Sequence, residues 1–264
     1  MSIFEAIILG LIQGLTEFIP ISSSGHLVIA QWFMEGASSH LFLEWINIGT
    51  VLALIIFFWR RIWDAIVTVF VGRDFRLALN IIIAMLPAGF AGFLLADFIE
   101  TTPFFSSIWT VVVTLALVGV LLIVVERLPK LSEVRVLEKL PKSRALTIGL
   151  AQVLALVPGT SRSGSTIVAG RLMGLRAADA AEFSFLVSIP IMLGVILKLV
   201  IQSDDRAYFM ANLSPLVIGL LAALVSGLLA VGFLMRYLQT RSLAPFGYYR
   251  IGLAAVLAVV LLVQ

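Results

Sequence analysis

Long apolar runs recur from one end of this 264-residue chain to the other: Leu41 to Trp59, Leu77 to Ala96, Ile108 to Val125, Ala180 to Ile201, Pro215 to Met235 and Phe246 to Val263. Each reaches or approaches the roughly 20 residues that cross the hydrocarbon core of a bilayer. In lipid a backbone must satisfy its own hydrogen bonds, and the runs lack the alternating period of barrel strands, so they predict six spanning helices. Composition agrees: 61% of the residues are hydrophobic and 12% charged, against about half and about a quarter in soluble domains. The chain reads as an all-α polytopic membrane protein, a single integral domain over 1–264 with no separate soluble part. Met1 to Gly10 lacks a basic n-region, so no removable signal peptide is expected. The absence of cysteine excludes disulfides and thiolate metal sites. A net charge of +3 would permit a nucleic-acid partner, but the basic residues fall in loops between spans, where orientation during insertion accounts for them.

Two further apolar segments, about 3 to 34 and 143 to 174, are broken near their middles. Pro20 and Ser22-Ser23-Ser24 interrupt the first, and Pro158-Gly159-Thr160-Ser161-Arg162-Ser163 the second. A proline with several polar residues interrupts a spanning helix, and non-helical backbone at membrane depth survives only where protein surrounds it or water reaches it. Each segment therefore reads as a re-entrant helix-loop-helix hairpin whose loop lines a cavity. The segments match without a gap at an offset of 139 residues: Gly10 with Gly149, Gln13 with Gln152, Ser22 with Ser161, Ser24 with Ser163, Gly25 with Gly164. Apolar matches come cheaply in such a composition; aligned glutamine, serines and glycine do not. Glu44 and Glu182 open the following spans at an offset of 138. The chain thus divides into two repeats, about 1–126 and 143–264, joined by a cytoplasmic connector, about 127–142. Each repeat holds one hairpin and three spans. The odd number of crossings inverts the second unit, so that the hairpins meet near the midplane. Small residues every four positions, at Ala84, Ala88, Gly92 and Ala96 and at Gly219, Ala223 and Gly227, predict close helix packing. Pro87 and Pro190 predict kinks.

Fifteen of the 18 basic residues fall on one face of this topology. They are Arg60, Arg61, Arg73 and Arg76 after the first span, Arg127, Lys130, Arg135, Lys139, Lys142 and Arg144 in the long loop after the third, Arg171 and Arg176 after the second hairpin, and Arg236, Arg241 and Arg250 before the last span. That face is expected to be cytoplasmic. The other keeps Lys198 and Arg206 among Asp97, Glu100, Asp204 and Asp205, which leaves Arg162 as the only basic residue within the membrane. The termini and the mouth of the first hairpin would be external.

Polar groups concentrate in the two breaks. Gln13 and Glu17, four residues apart, share a helix face directed at the first break. An intramembrane carboxylate is functional by default, the alternative being that Glu17 only satisfies loop backbone. Gln13 fits a bracing role and a substrate contact equally. Ser22, Ser23, Ser24 and Gly25 at a helix start make an anion seat from hydroxyls and backbone N–H groups, more than the one serine that capping needs. His26 has the chemistry of a base, an acid or a phosphate donor near neutral pH. His40 reads as a loop residue, and Glu44, Asn47 and Thr50 as lining an entrance or sealing helix contacts. The second break adds Ser161, Arg162, Ser163 and Thr166. Arginine's planar fork suits phosphate oxygens and stays charged when desolvated; the alternative is a structural bridge to Glu17. In the repeat register Ser23 pairs with Arg162, Glu17 with Leu156 and His26 with Ser165, so one half holds the base and nucleophile candidates and the other the cation.

The run Gln-Gly-Leu-Thr-Glu-Phe-Ile-Pro-Ile-Ser-Ser-Ser-Gly-His at 13–26 and the run Pro-Gly-Thr-Ser-Arg-Ser-Gly-Ser-Thr at 158–166 closely resemble the two motifs of the bacterial undecaprenyl-diphosphatase family, known for bacitracin resistance. The likeness covers essentially the whole chain. The resemblance implies hydrolysis of a polyprenyl diphosphate lipid, undecaprenyl diphosphate, to its monophosphate and inorganic phosphate at the outer face of the bacterial inner membrane, which recycles the carrier for cell-wall synthesis. It also implies a divalent cation, Mg2+ or Ca2+. The family's first motif is Glu/Gln-x-x-x-Glu, and Gln13 stands where many members carry glutamate, which weakens any mechanism needing two carboxylates. The diphosphate would sit between the breaks against Arg162, with contacts from Gln13, Ser22, Ser24, Gly25, Ser161, Ser163 and Thr166, its tail between helices. Ser23 is the nucleophile candidate, with Glu17 or His26 taking its proton. A rival route uses a cation-activated water, with Glu17 as one metal ligand and the diphosphate supplying most others. Inverted repeats with broken helices also build transporters, so an anion exchanger or lipid flippase is the second functional class. A purely structural scaffold leaves the polar breaks unexplained. The sequence carries no signal for an oligomeric state.

Overall fold

Ser2 and Glu5 close a capping box at the start of the first helix: the Ser2 hydroxyl accepts from the Glu5 N–H at 3.2 Å while the Ser2 N–H donates to the Glu5 carboxylate at 2.7 Å. The same helix stops at Phe18, because Ile19 precedes a proline and is driven to extended backbone (φ −65°, ψ 134°). In this computed structural model the described residues are 1–264 without 33, 35–39, 129–132, 135, 203–205 and 264. Of the charges used above for orientation, Lys130, Arg135, Asp204 and Asp205 lie outside the described residues.

The elements are α1 (Ile3–Phe18), α2 (Ser23–Trp32), α3 (His40–Phe57), α4 (Trp59–Phe70), α5 (Arg76–Leu94), α6 (Ala96–Thr101), α7 (Pro103–Ser106), α8 (Ile108–Val124), α9 (Lys142–Val153), α10 (Arg162–Leu172), α11 (Ala177–Gln202), α12 (Arg206–Ala211), α13 (Leu213–Tyr237) and α14 (Ala244–Val263). Among the described residues five helices, α3, α5, α11, α13 and α14, are long and apolar enough to cross a membrane. The sixth expected span is α8, whose 17 residues rise about 26 Å, slightly less than the roughly 30 Å hydrocarbon core. Pro87 and Pro190 lie inside continuous α5 and α11. The stretch after the first span, expected as a loop, is largely α4. No residue of α4 is buried, its Trp59, Trp63 and Phe70 are exposed, and Arg60, Arg61 and Asp64 are interleaved with them. That mixture of rings and charge suits a helix lying in the membrane interface.

Close backbone approach holds the bundle together. α1 packs against α13, α13 also against α3, α9 against α5, and α8 against α14. Small residues form each seam, as their spacing predicts. Gly10 faces Gly219 and Ala222, Gly14 faces Ala223 and Ser226, and Gly119 meets Gly247. A Cβ at Gly149 would stand 2.8 Å from the Ala84 Cα, closer than two carbons can sit. Beneath the first break, Phe18, Phe58 and Phe185 pack edge to face or tilted, with centroids 5.6 and 6.1 Å apart along the chain of contacts. At the arginine-rich end, Arg61 on α4 spans two elements, reaching Glu182 of α11 at 2.7 Å and Glu138 at 2.8 Å. Arg171 holds Glu126 at 2.7 Å. Glu44, the counterpart of Glu182, instead pairs locally with His40 at 3.5 Å. Gly149→Ala should destabilise by roughly 1–3 kcal/mol through overpacking against Ala84, read as a lower thermal midpoint in detergent. The control is Gly89→Ala, whose added Cβ meets nothing within 4 Å.

Candidate functional site

The two breaks share one backbone device. Ser22 and Ser161, 139 residues apart, are both left-handed, with φ of 75° and 72°, a conformation that costs a non-glycine residue about 1–3 kcal/mol. Each turns the chain sharply into a helix N-terminus. Each hydroxyl then accepts from the N–H three residues on, Gly25 at 3.3 Å and Gly164 at 3.1 Å, and lies 3.2 Å from the hydroxyl of the serine two residues on, Ser24 or Ser163. Gly159 also has positive φ (83°), and a Cβ there would collide with Thr114 of α8. The hydroxyl of Thr114 instead donates to the Pro158 carbonyl at 2.7 Å.

The breaks meet on one carboxylate. Ser23 and Arg162, the first residues of α2 and α10 and counterparts in the repeat, bond its two oxygens separately. The Ser23 hydroxyl donates to Glu17 Oε2 at 2.6 Å, and Arg162 Nη2 donates to Oε1 at 2.8 Å. The Glu17 and Arg162 side chains are 13% and 17% exposed, so the pair is largely dry. Gln13 Nε2 donates to Oε2 at 3.0 Å and also to Asn47 of α3, so Gln13 braces the carboxylate. Thr50 donates to the Asn47 carbonyl at 2.7 Å and fixes that turn. Two longer contacts tie the breaks directly: Gly159 N–H to the Ser24 hydroxyl and Ser163 hydroxyl to the Glu17 carbonyl, both at 3.4 Å.

Two expected site residues make their described bonds away from the Glu17 carboxylate. His26 Nδ1 donates to the Ser22 carbonyl at 2.7 Å, which leaves Nε2 facing the Tyr249 hydroxyl, also at 2.7 Å. Its described bonds go to neither Ser23 nor Glu17, so the contact with the Ser23 proton belongs to Glu17. Thr166 is 1% exposed, and its hydroxyl bonds the Arg162 carbonyl at 2.8 Å and Ser184 of α11 at 2.6 Å. It packs helices together, because one turn into α10 its face points at α11 and away from the break.

One residue assigned above to a loop belongs to the site. Arg250 lies in α14, 0% exposed, and its guanidinium is surrounded by backbone carbonyls. It donates to Pro20 of the first break (3.2 Å), to Gly159 and Thr160 of the second (2.6 and 3.2 Å), and to Thr114 and Leu115 of α8 (both 3.2 Å). Arg162 is therefore not the only basic residue in the interior. The signal was present: an arginine inside the apolar run Phe246 to Val263 merits the same default as Glu17.

The donor set is that of an anion site with a base. It offers two helix N-termini with five serines, a guanidinium able to fork onto phosphate oxygens, and a hydroxyl already bonded to a carboxylate. It is a poor cage for a metal. Glu17 has both oxygens engaged, and among the described residues no group of three or more His, Asp or Glu is placed to hold an ion.

Helix, break and carboxylate together define a polytopic helical protein whose two interrupted helices meet on a buried carboxylate–arginine pair. Comparison with known proteins agrees: the family described as bacitracin resistance protein BacA matches residues 6–256, and the chain belongs to that family. It is 40% identical to an undecaprenyl-diphosphatase of Clavibacter michiganensis over 99% of this chain and 97% of the relative. It is 40% identical to an undecaprenyl-diphosphatase of Rubrobacter xylanophilus over 99% of both chains, and 38% identical to undecaprenyl-diphosphatase 1 of Agrobacterium fabrum over 99% and 98%. Arg250→Met should cost at least about 3 kcal/mol, since several buried carbonyls lose their donor at about 1–3 kcal/mol each. The readout is the thermal midpoint in detergent; an unchanged midpoint would show that the two breaks do not depend on this side chain.

Proposed function

We propose that this chain hydrolyses undecaprenyl diphosphate to undecaprenyl phosphate and inorganic phosphate in a cavity between two re-entrant hairpins. The observation that carries the reading is the Glu17 carboxylate bonded at once to Ser23 and to Arg162. Transport of an anion would need the cation but leaves the hydroxyl–carboxylate contact without a use.

In the proposed reaction the diphosphate displaces Glu17 from Arg162, so that the guanidinium and the N-termini of α2 and α10 hold phosphate oxygens while the freed carboxylate keeps Ser23. The Ser23 oxygen attacks the terminal phosphorus as its proton passes to Glu17. The bond to the bridging oxygen breaks, and its electron pair leaves with undecaprenyl phosphate, which takes the proton. A water then attacks the phosphoserine, Glu17 accepts a proton from it, and that proton returns to Ser23 as phosphate departs. A loose phosphoryl-transfer transition state asks mainly for alignment and charge stabilisation, which two N-termini and an arginine supply. The protein residues do not fit a metal cage, so Mg2+ or Ca2+ would arrive on the diphosphate.

The inverted repeat is proposed on three supports. The offset that aligns the motifs reappears in the left-handed serines. The halves exchange partners, with α1 on α13 and α9 on α5, α5 and α13 being counterparts. Counterparts α8 and α14 pack on each other, as elements beside a pseudo-twofold axis do. With α8 as a short sixth span, the arginine-rich loops would be cytoplasmic and the site would open outward from the bacterial inner membrane.

Purified protein in detergent should release phosphate from undecaprenyl diphosphate with Mg2+ or Ca2+ present. Glu17→Gln and Ser23→Ala should each lower the rate by about 10²–10⁴-fold, and a rapid quench should trap phosphate on Ser23. A Ser23→Ala protein that keeps most of its rate would replace the covalent route with attack by water; absence of release from the unaltered protein would return the architecture to transport.

A further inference from the structure

We propose that the groove along the last turns of α13 is a binding site for one anionic phospholipid of the surrounding bilayer, separate from the site at the breaks. The groove encloses about 650 Å³ between α13, the end of α3 and the 238–243 turn. Its walls change character along its length. Phe57, Leu229 and Phe233 line the inner part and are 40%, 68% and 52% exposed, so no part of the described chain covers them. Gly232 leaves the floor open, since a Cβ there would meet only the Phe57 ring at 3.6 Å. Arg236, Thr240 and Arg241 close the outer end. From Leu229 to Arg236 the helix rises about 10 Å, so the apolar part runs along the helix axis and the cations sit where α13 ends. An acyl chain beside a spanning helix, with its headgroup at the interface, needs that arrangement.

Charge chooses among lipids. Several arginines of the basic loops are neutralised: Arg61 holds Glu138 and Glu182, Arg171 holds Glu126, and Arg176 holds Asp179. Arg236 and Arg241 have no carboxylate partner among the described residues, and no acidic residue lines the groove. Positive-inside insertion alone would account for their presence, but not for their convergence on the head of an apolar groove. Two free guanidinium groups there match a phosphate oxygen set with net negative charge, and basic pockets beside spanning helices on this kind of face take such headgroups. The Gly14–Ser226 contact on α13 lies about 15 Å along the helix from Arg236, and no residue of either break is among those that line the groove.

The test uses the full chain in mild detergent with phosphatidylglycerol or phosphatidylcholine as probe, lipid retention being counted by native mass spectrometry. Phosphatidylglycerol should bind saturably at one site and phosphatidylcholine weakly. Arg236→Gln with Arg241→Gln should weaken phosphatidylglycerol by roughly 10- to 30-fold, while phosphate release in detergent stays at the wild-type rate. Gly232→Leu, which fills the groove and leaves both charges, should also reduce retention. Equal binding of the two lipids, a double variant that retains phosphatidylglycerol, or displacement of it by stoichiometric polyprenyl phosphate would overturn the assignment.

Discussion

A carboxylate shared by two helix breaks is the interaction on which the site depends. Glu17 is too buried to keep much of its hydration, and a desolvated charge costs several kcal/mol unless it is paired and hydrogen-bonded. Arg162, Ser23 and Gln13 meet that requirement from three directions. Each donor is in turn held in place: Gln13 by Asn47, Ser23 and Arg162 by opening their helices immediately after a left-handed serine. The carboxylate thereby joins segments that stand 139 residues apart in the repeat register.

Arg250 answers a second constraint. Irregular backbone in an apolar interior leaves carbonyls without partners, and water is scarce there. A guanidinium has five N–H donors in a rigid plane, and Arg250 directs them at carbonyls of both breaks and of α8. The breaks can therefore stay open and face each other without unwinding the helices that flank them. Lysine, with three donors on a flexible stem, could not reach as many directions from one position.

The symmetry of the sequence is carried into backbone more faithfully than into side chains. Gln13 and Gln152 are equally buried at 2%, but the amide of Gln152 has no hydrogen-bond partner among the described residues, whereas Gln13 has the carboxylate whose counterpart in the second half is Leu156. Breaks, left-handed serines and small-residue seams were legible because proline, serine spacing and glycine act locally or at a fixed helical period. The broken segments, the span helices and the grouping of Glu17, Ser23 and Arg162 followed from such patterns. α4 was missed because its rings and charges alternate too closely for a hydropathy run. The placement of His26, Thr166 and Arg250 was missed because the direction of a side chain one turn into a helix depends on which neighbour packs there.

The sequence by itself determined that this chain is helical, that it belongs in a membrane, and that two helices must break at serine-rich turns. Apolar length, backbone satisfaction and proline geometry are properties of short stretches and need no partner. The tertiary structure alone decided that Glu17 meets Ser23 and Arg162 on separate oxygens, that His26 faces Tyr249, and that Arg250 leaves the loops for the interior. Those outcomes depend on hydrogen bonds between residues up to 230 positions apart, and no local period or propensity encodes such a distance.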